Sequence, residues 1–262
     1  GGAGKSSLTD EIIRRFRLYS NEPKIAVIAV DPTRRKTKGA LLGDRIRMNA
    51  INPANIYMRS LATRASHSEV PPATPDIIAA CKTAGFDLVI VETPGIGQGD
   101  AAIVEHVDVS LYVMTPEFGA QSQLEKIDML DFADIIAINK FDRKGALDAL
   151  RDVRKQVQRN REAFGLSPDD LPVFGCVASK FADTGVTAVY QEMLNQFSNK
   201  RLGNFTCSID PVGIKQSELG QAIVPPERAR YLAEVAETVR NFHKIIVEQS
   251  RLARELQQLN ET

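Results

Sequence analysis

The chain has 262 residues and carries 33 Lys and Arg against 33 Asp and Glu, so its formal net charge is zero. That balance removes the broad basic footprint of a nucleic-acid binder, and 43% hydrophobic with 25% charged residues is ordinary globular composition. No apolar run approaches the roughly 18–20 residues of a membrane helix, and no signal peptide is visible.

The first seven residues, GGAGKSS, end the P-loop pattern G-x-x-x-x-G-K-[ST], with Gly4, Lys5 and Ser6 in its last three places and Ser7 behind. The pattern's first Gly and its feeding strand are not in the sequence and are expected upstream of Gly1. Gly1, Gly2 and Gly4 leave room for backbone N–H groups to close on phosphate oxygens. Lys5 offers a point charge to the β- and γ-phosphates, and Ser6 a hydroxyl to Mg²⁺. Leu8, Ile12, Ile13 and Phe16 follow near helical spacing, so the loop opens a helix whose N-terminal partial charge adds to anion binding. A glycine-rich turn without a ligand is the alternative.

Strand and helix then alternate. KIAVIAV (24–30) predicts a buried strand ending at Asp31, and NIYMRSL (55–61) a second. A helix is expected over 75–85, an apolar strand over 86–92 and another over 107–114. Residues 121–132 read as helix, 133–140 as strand, 145–165 as a long helix, 172–178 as strand and 185–197 as helix. This order predicts an α/β fold with a doubly wound, mostly parallel sheet, the P-loop nucleoside triphosphatase architecture. Ligands then sit beyond the carboxyl ends of the strands, where Asp31, Glu92, Asn139 and Ser179 fall. From 199 to 226 the chain is rich in Gly and Pro and reads as an irregular linker after a domain of 1–198. A long helix is expected over 227–262. There Leu232, Val235, Val239, Phe242, Ile246, Gln249, Ala253 and Leu256 step by three and four.

NKFD (139–142) is the most specific short element. Asp142 can accept hydrogen bonds from the ring N–H and exocyclic amine of guanine, two donors that adenine lacks. Asn139 would brace the loops, and the Lys140 stem would cover the base. In VASK (177–180), Ala178 and Ser179 sit where backbone amides meet the guanine carbonyl oxygen. In VETPGIGQGD (91–100), Glu92 can hold Mg²⁺ through a water, and the N–H of Gly95 or Gly97 can meet the γ-phosphate. Between two strands, DPTRRKTKGALLGDRIRM (31–48) supplies Asp31 and Asp44, each a candidate for Mg²⁺ coordination or for orienting the attacking water. Phosphoryl transfer asks chiefly for positioning and charge neutralisation, so no lone general base is required. Cys81, Cys176 and Cys207 share no metal-ligand spacing and read as reduced thiols of a cytoplasmic protein; His67, His106 and His243 are equally scattered.

GGAGKSSLTDE, VDPTRRKTKGALLGDRIRM, VETPGIGQ and NKFD, in this order and spacing, resemble the GTPases that serve adenosylcobalamin-dependent acyl-CoA mutases. These are methylmalonyl-CoA mutase-associated GTPases of the signal-recognition-particle and MinD-like branch. LLGDRIRMNAI with YMRSLATRAS is closer still to the G-domain of fused isobutyryl-CoA mutases. The resemblance covers residues 1–200. It implies GTP and GDP as ligands with Mg²⁺, and GTP hydrolysis that gates adenosylcobalamin loading and the release of damaged cofactor. It places Lys5, Asp31 and Asp44 in catalysis and Ser6, Asp31, Asp44 and Glu92 around the metal. Gly2, Gly4, Lys5, Ser6, Ser7, Gly95, Asn139, Lys140, Asp142 and Ser179 fall on the nucleotide. The partners it implies are a cobalamin-binding domain and a mutase TIM barrel on the same polypeptide, as a homodimer, with no nucleic acid and no membrane. The D-x-H-x-x-G cobalamin pattern is not in this chain. The family's third switch region corresponds to 115–130, with Glu117, Gln121 and Lys126 as possible coupling residues. A metallocentre-delivery GTPase of the same branch and a scaffold with a structural nucleotide are the alternatives.

Overall fold

The computed structural model describes residues 2–32, 48–51, 54–63, 70–94, 100–119, 124–218 and 231–260. The chain forms two compact units, Gly1–Glu218 and Leu219–Thr262. In the first, six strands alternate with helices: β1 (Ile25–Pro32), β2 (Ile56–Thr63), β3 (Leu88–Glu92), β4 (Leu111–Met114), β5 (Ile135–Asn139) and β6 (Val173–Cys176). Helix α1 (Lys5–Tyr19) precedes β1, α2 (Thr74–Thr83) precedes β3 and α3 (Met129–Phe132) precedes β5. Helices α4 (Ala146–Asn160) and α5 (Thr184–Asn199) flank β6 in sequence. The strands pair in the orders β2-β1-β3 and β4-β5-β6, and every pairing is parallel.

Period-two alternation explains why helices cover both faces. Ile25, Val27 and Ala29 of β1, with Ile135 and Ala137 of β5, pack in one core with Ile12, Ile13 and Phe16 of α1 and Val186, Val189 and Tyr190 of α5. Ala26 and Ile28 turn the other way, toward Cys81 of α2. Ile136 and Ile138 likewise meet Leu150, Val153 and Val157 of α4. A strand buried on both faces must be apolar throughout, which is the composition the sequence shows.

The two half-sheets leave a slot. β5 is buried along its whole length, whereas all of β3 and three of the four residues of β4 are only half-buried. A cavity of about 990 Å³ is lined by Leu88–Glu92 on one side and Leu111–Met114 on the other, and Leu8 and Ile12 of α1 also line it.

Two elements differ from the sequence reading. Of the helix expected over 121–132, residues 121–123 lie outside the described residues, Leu124 is helical, and the α-helix resumes at Met129–Phe132. Before it, the bonds from Ile127 N to Leu124 O and from Leu130 N to Ile127 O are three residues apart, a tighter winding that sets Leu124, Met129 and Leu130 into the core. β4 begins at Leu111 rather than 107, because Asp134 accepts from the backbone N and the hydroxyl of Ser110 at 2.8 and 2.9 Å. That side chain takes the ladder's place at the strand's start.

Beyond α5 the chain stays irregular but remains part of the first unit to Glu218, twenty residues past the boundary that composition suggests. Phe205 sits edge-on to Phe16 at 5.6 Å and against Phe197 at 5.3 Å. Gln216 forms an isolated parallel bridge with Gly175 at the free edge of β6. The second unit contains α6 (Tyr231–Asn260), 30 residues long. On it Val235, Val239, Phe242, Ile246 and Leu256 of the predicted seam are exposed. Among the described residues no helix is long and apolar enough to cross a membrane.

Candidate nucleotide-binding site

The carboxyl ends of β3 and β5 and the start of α1 converge. Gly4 caps α1 in the left-handed region, φ 81°, and Gly2 is also left-handed, φ 96°. A Cβ on Gly4 would lie 2.4 Å from Asn139 Nδ2, so a side chain there is excluded by space as well as by backbone conformation. Asn139 ends β5 and is buried. Its Nδ2 donates to the Ala3 carbonyl at 2.8 Å, and its Oδ1 accepts from the Ala178 N–H at 3.0 Å. One amide thus fastens the glycine loop to the loop after β6.

Ser6 donates its hydroxyl to Glu92 Oε1 at 2.7 Å, which joins the first turn of α1 to the end of β3. Lys5 Nζ donates to the Pro94 carbonyl at 3.1 Å, reaching the segment just beyond. Ser7 is exposed beside them. Hydroxyl and carboxylate are hard oxygen donors. Mg²⁺ usually takes one or two carboxylates, waters and phosphate oxygens, so this pair suits it. Among the described residues no group of three or more His, Cys, Asp and Glu is placed to hold a metal ion by itself.

The NKFD turn is set by packing. Phe141 is buried with its N–H on the Cys176 carbonyl at 3.1 Å, and a Cβ at Gly175 would meet its ring at 2.5 Å. Lys140 adopts φ 60°, a strained value for a residue with a side chain, to turn the chain over. With Phe141 pinned inward, Asp142 is exposed, as is Ser179 on the neighbouring loop.

β1 ends at Asp31 and Pro32, and Asp31 is in register with Ala62 of β2. Asp44, Gly95 and Gln121 lie outside the described residues. After β4, Glu117 pairs with Arg143, the residue following the NKFD turn. The Thr115 hydroxyl and the Arg143 guanidinium hold the Glu117 carboxyl down at about 2. Glu117, Lys126, Lys140 and Arg143 all line the large cavity, with Gly2, Lys5 and Glu92. Arg143 escaped the sequence analysis because nothing local marks a surface arginine as an ion-pair partner.

The model of the family described as methylmalonyl Co-A mutase-associated GTPase MeaB matches residues 1–200. The chain belongs to this family. Among curated relatives, the fused isobutyryl-CoA mutase of Cupriavidus metallidurans is 64% identical over 260 residues, 99% of this chain and 24% of that protein. That of Paraburkholderia xenovorans is 60% identical over 269 residues, covering 100% of this chain and 21% of its own length. The chain therefore spans about a quarter of the curated relatives it matches. Among solved structures, HypB from Helicobacter pylori in complex with nickel aligns at TM-score 0.53 and 14% identity, over 78% of this chain and 86% of that one. That likeness shows the fold, a P-loop α/β domain, which agrees with the parallel half-sheets and their covering helices. MeaB-family membership gives the glycine loop and the NKFD turn a common context.

Proposed function

We propose that residues 1–218 bind GTP and GDP with Mg²⁺ and hydrolyse GTP. The double grip of Asn139, on Ala3 and on Ala178, carries this reading, because it sets the phosphate-facing and base-facing loops at a fixed distance. Lys5 neutralises phosphate charge, and the N–H groups after Gly2 and Gly4 cradle the phosphate oxygens. Ser6 and Glu92 would hold Mg²⁺, which would supply neutralisation of the charge that develops on the phosphates. Asp31 and Asp44 complete the metal's surroundings or orient water. Asp142 reads the guanine N–H groups, Ser179 and Ala178 its carbonyl oxygen, and the Lys140 stem lies over the ring.

In the longer polypeptide this GTPase gates adenosylcobalamin loading and release for an acyl-CoA mutase of the isobutyryl-CoA type. The names and lengths of the 64% and 60% identical relatives support that assignment. Its partners are then a cobalamin-binding domain and a mutase barrel on the same cytoplasmic chain, as a homodimer. Single-turnover hydrolysis of GTP by the full chain, with Lys5→Ala as control, tests the enzymatic part. Slow turnover in the wild type that disappears in the variant is expected. Equal release of phosphate by both would overturn it.

A further inference from the structure

The segment after α5 returns to the guanine side of the site. The Lys215 carbonyl accepts from Gly175 N, and Ser217 N donates to the Gly175 carbonyl, each at 2.9 Å. The pair is a one-residue continuation of the sheet past β6. The Ser217 side chain, 1% exposed, then donates to Asp183 Oδ2 at 2.8 Å. Asp183 is equally buried, and the same oxygen accepts from Val177 N at 3.1 Å and from Val186 N at 2.9 Å. Val177 immediately precedes Ala178, whose N–H is held by Asn139. Next in the chain, Glu218 N donates to Thr184 Oγ1 and its carbonyl accepts from Lys180 Nζ, both at 3.3 Å. Arg15 of α1 closes the back of the cluster, donating to the Asp183 carbonyl at 3.0 Å.

The fit is too tight to be a casual contact. A Cβ at Gly185 would lie 2.0 Å from the Gly175 carbonyl oxygen and 2.7 Å from Ser217 Oγ. Glu218 is also the last residue of the first unit.

We infer that Asp183 and Ser217 are positioning residues for the guanine-reading loop 177–180, and that residues 215–218 form a latch on that loop. The inference rests on the proposed guanine site. Asp183 holds the loop's first amide at the same oxygen that receives the latch, so releasing Ser217 loosens the loop. Binding free energies are reciprocal: a nucleotide that orders the loop tightens the latch, and loosening the latch lowers guanine affinity.

The test measures GDP and 6-thio-GDP binding to the full chain, wild type, Ser217→Ala, Asp183→Asn and Asp183→Ala. Replacing the guanine carbonyl oxygen by sulfur weakens chiefly the contact that loop 177–180 supplies, and its effect on the ring N–H is common to wild type and variants. Ser217→Ala is expected to weaken GDP about fivefold, the cost of one buried hydrogen bond. It should also shrink the preference for GDP over the thio analogue. Asp183→Ala should do both more strongly, and Asp183→Asn, which still accepts from Val177 and Val186, should recover most of the loss. A variant that merely loosens the fold lowers both affinities in proportion, and an unchanged ratio would overturn the inference. If the variants do not fold, hydrogen exchange on the wild type decides: GDP must slow exchange at Ser217 and Glu218, and unchanged rates overturn the latch. A wild type that binds no guanine nucleotide removes the site itself, and the latch's role with it. Normal binding with indifferent variants removes only the latch.

Discussion

Asn139 and Ala3 are joined across the site by a 2.8 Å hydrogen bond, although 136 residues separate them in sequence. The other end of the same amide holds Ala178. Asn139→Ala leaves a carbonyl and an N–H without these partners in a buried place, and unpaired buried polar groups are costly. We expect guanine-nucleotide affinity to fall about a hundredfold, by the loss of two such bonds. Titration calorimetry checks this, and a loss below about threefold, within the spread of a single weak contact, contradicts the bracing role.

Asp142 is exposed at a pinned turn. In the proposed site its carboxylate accepts two donors from guanine. An amide in its place suits a base bearing an oxygen where guanine bears its amine. Asp142→Asn should therefore lower GTP affinity by about 10² or more and raise that for xanthosine triphosphate. Competition binding with both nucleotides reads the exchange; a variant that keeps its guanine preference contradicts the assignment.

The Glu117–Arg143 pair makes a pH prediction. The Glu117 carboxyl ionises at about 2 in the folded chain against an ordinary 4.5. A depressed folded value means the interaction is complete above 4.5 and is lost as the pH falls toward 2. Both side chains are half exposed, so the energetic effect at neutral pH is small. Carboxyl chemical shifts should place the Glu117 midpoint near 2 in the wild type and move it up toward 4.5 in Arg143→Ala with Thr115→Val, where only a backbone hydrogen bond still holds the carboxyl down. An unshifted midpoint in the double variant contradicts the stated cause.

Thiol reactivity separates the three cysteines. Burial pushes the Cys176 thiol far up, and the Asp183 carboxylate adds to it; burial also raises Cys81. Cys207 alone is exposed. A thiolate-selective reagent should modify Cys207 promptly in the native chain and the other two only after unfolding. Rapid modification of Cys176 would mean that β6 and the loop behind the base open readily.

Much of this was legible from residue order. The alternation of apolar strands and amphipathic helices places β1, β3, β5 and β6, because a strand covered on both faces has to be apolar at every position. Glu92 and Asn139 are readable because a polar residue ending an apolar run has few other uses, and Ser6 because it closes the P-loop pattern. Interactions between distant segments were not legible. Ser217 lies in a stretch of Gly, Pro and polar residues that reads as linker, and its burial follows from the room that Gly185 leaves open beside the Gly175 carbonyl. Arg143 and Glu117 are likewise 26 residues apart, brought together because β4 and β5, which precede them, pair in parallel.

The most direct measurement is calorimetric titration of the full chain with GDP and ADP in the presence of Mg²⁺. The account predicts binding of GDP at least about 10³-fold tighter than ADP, the discrimination expected when a carboxylate is left unpaired by the wrong base. Equal affinity for the two, or none for either, contradicts it.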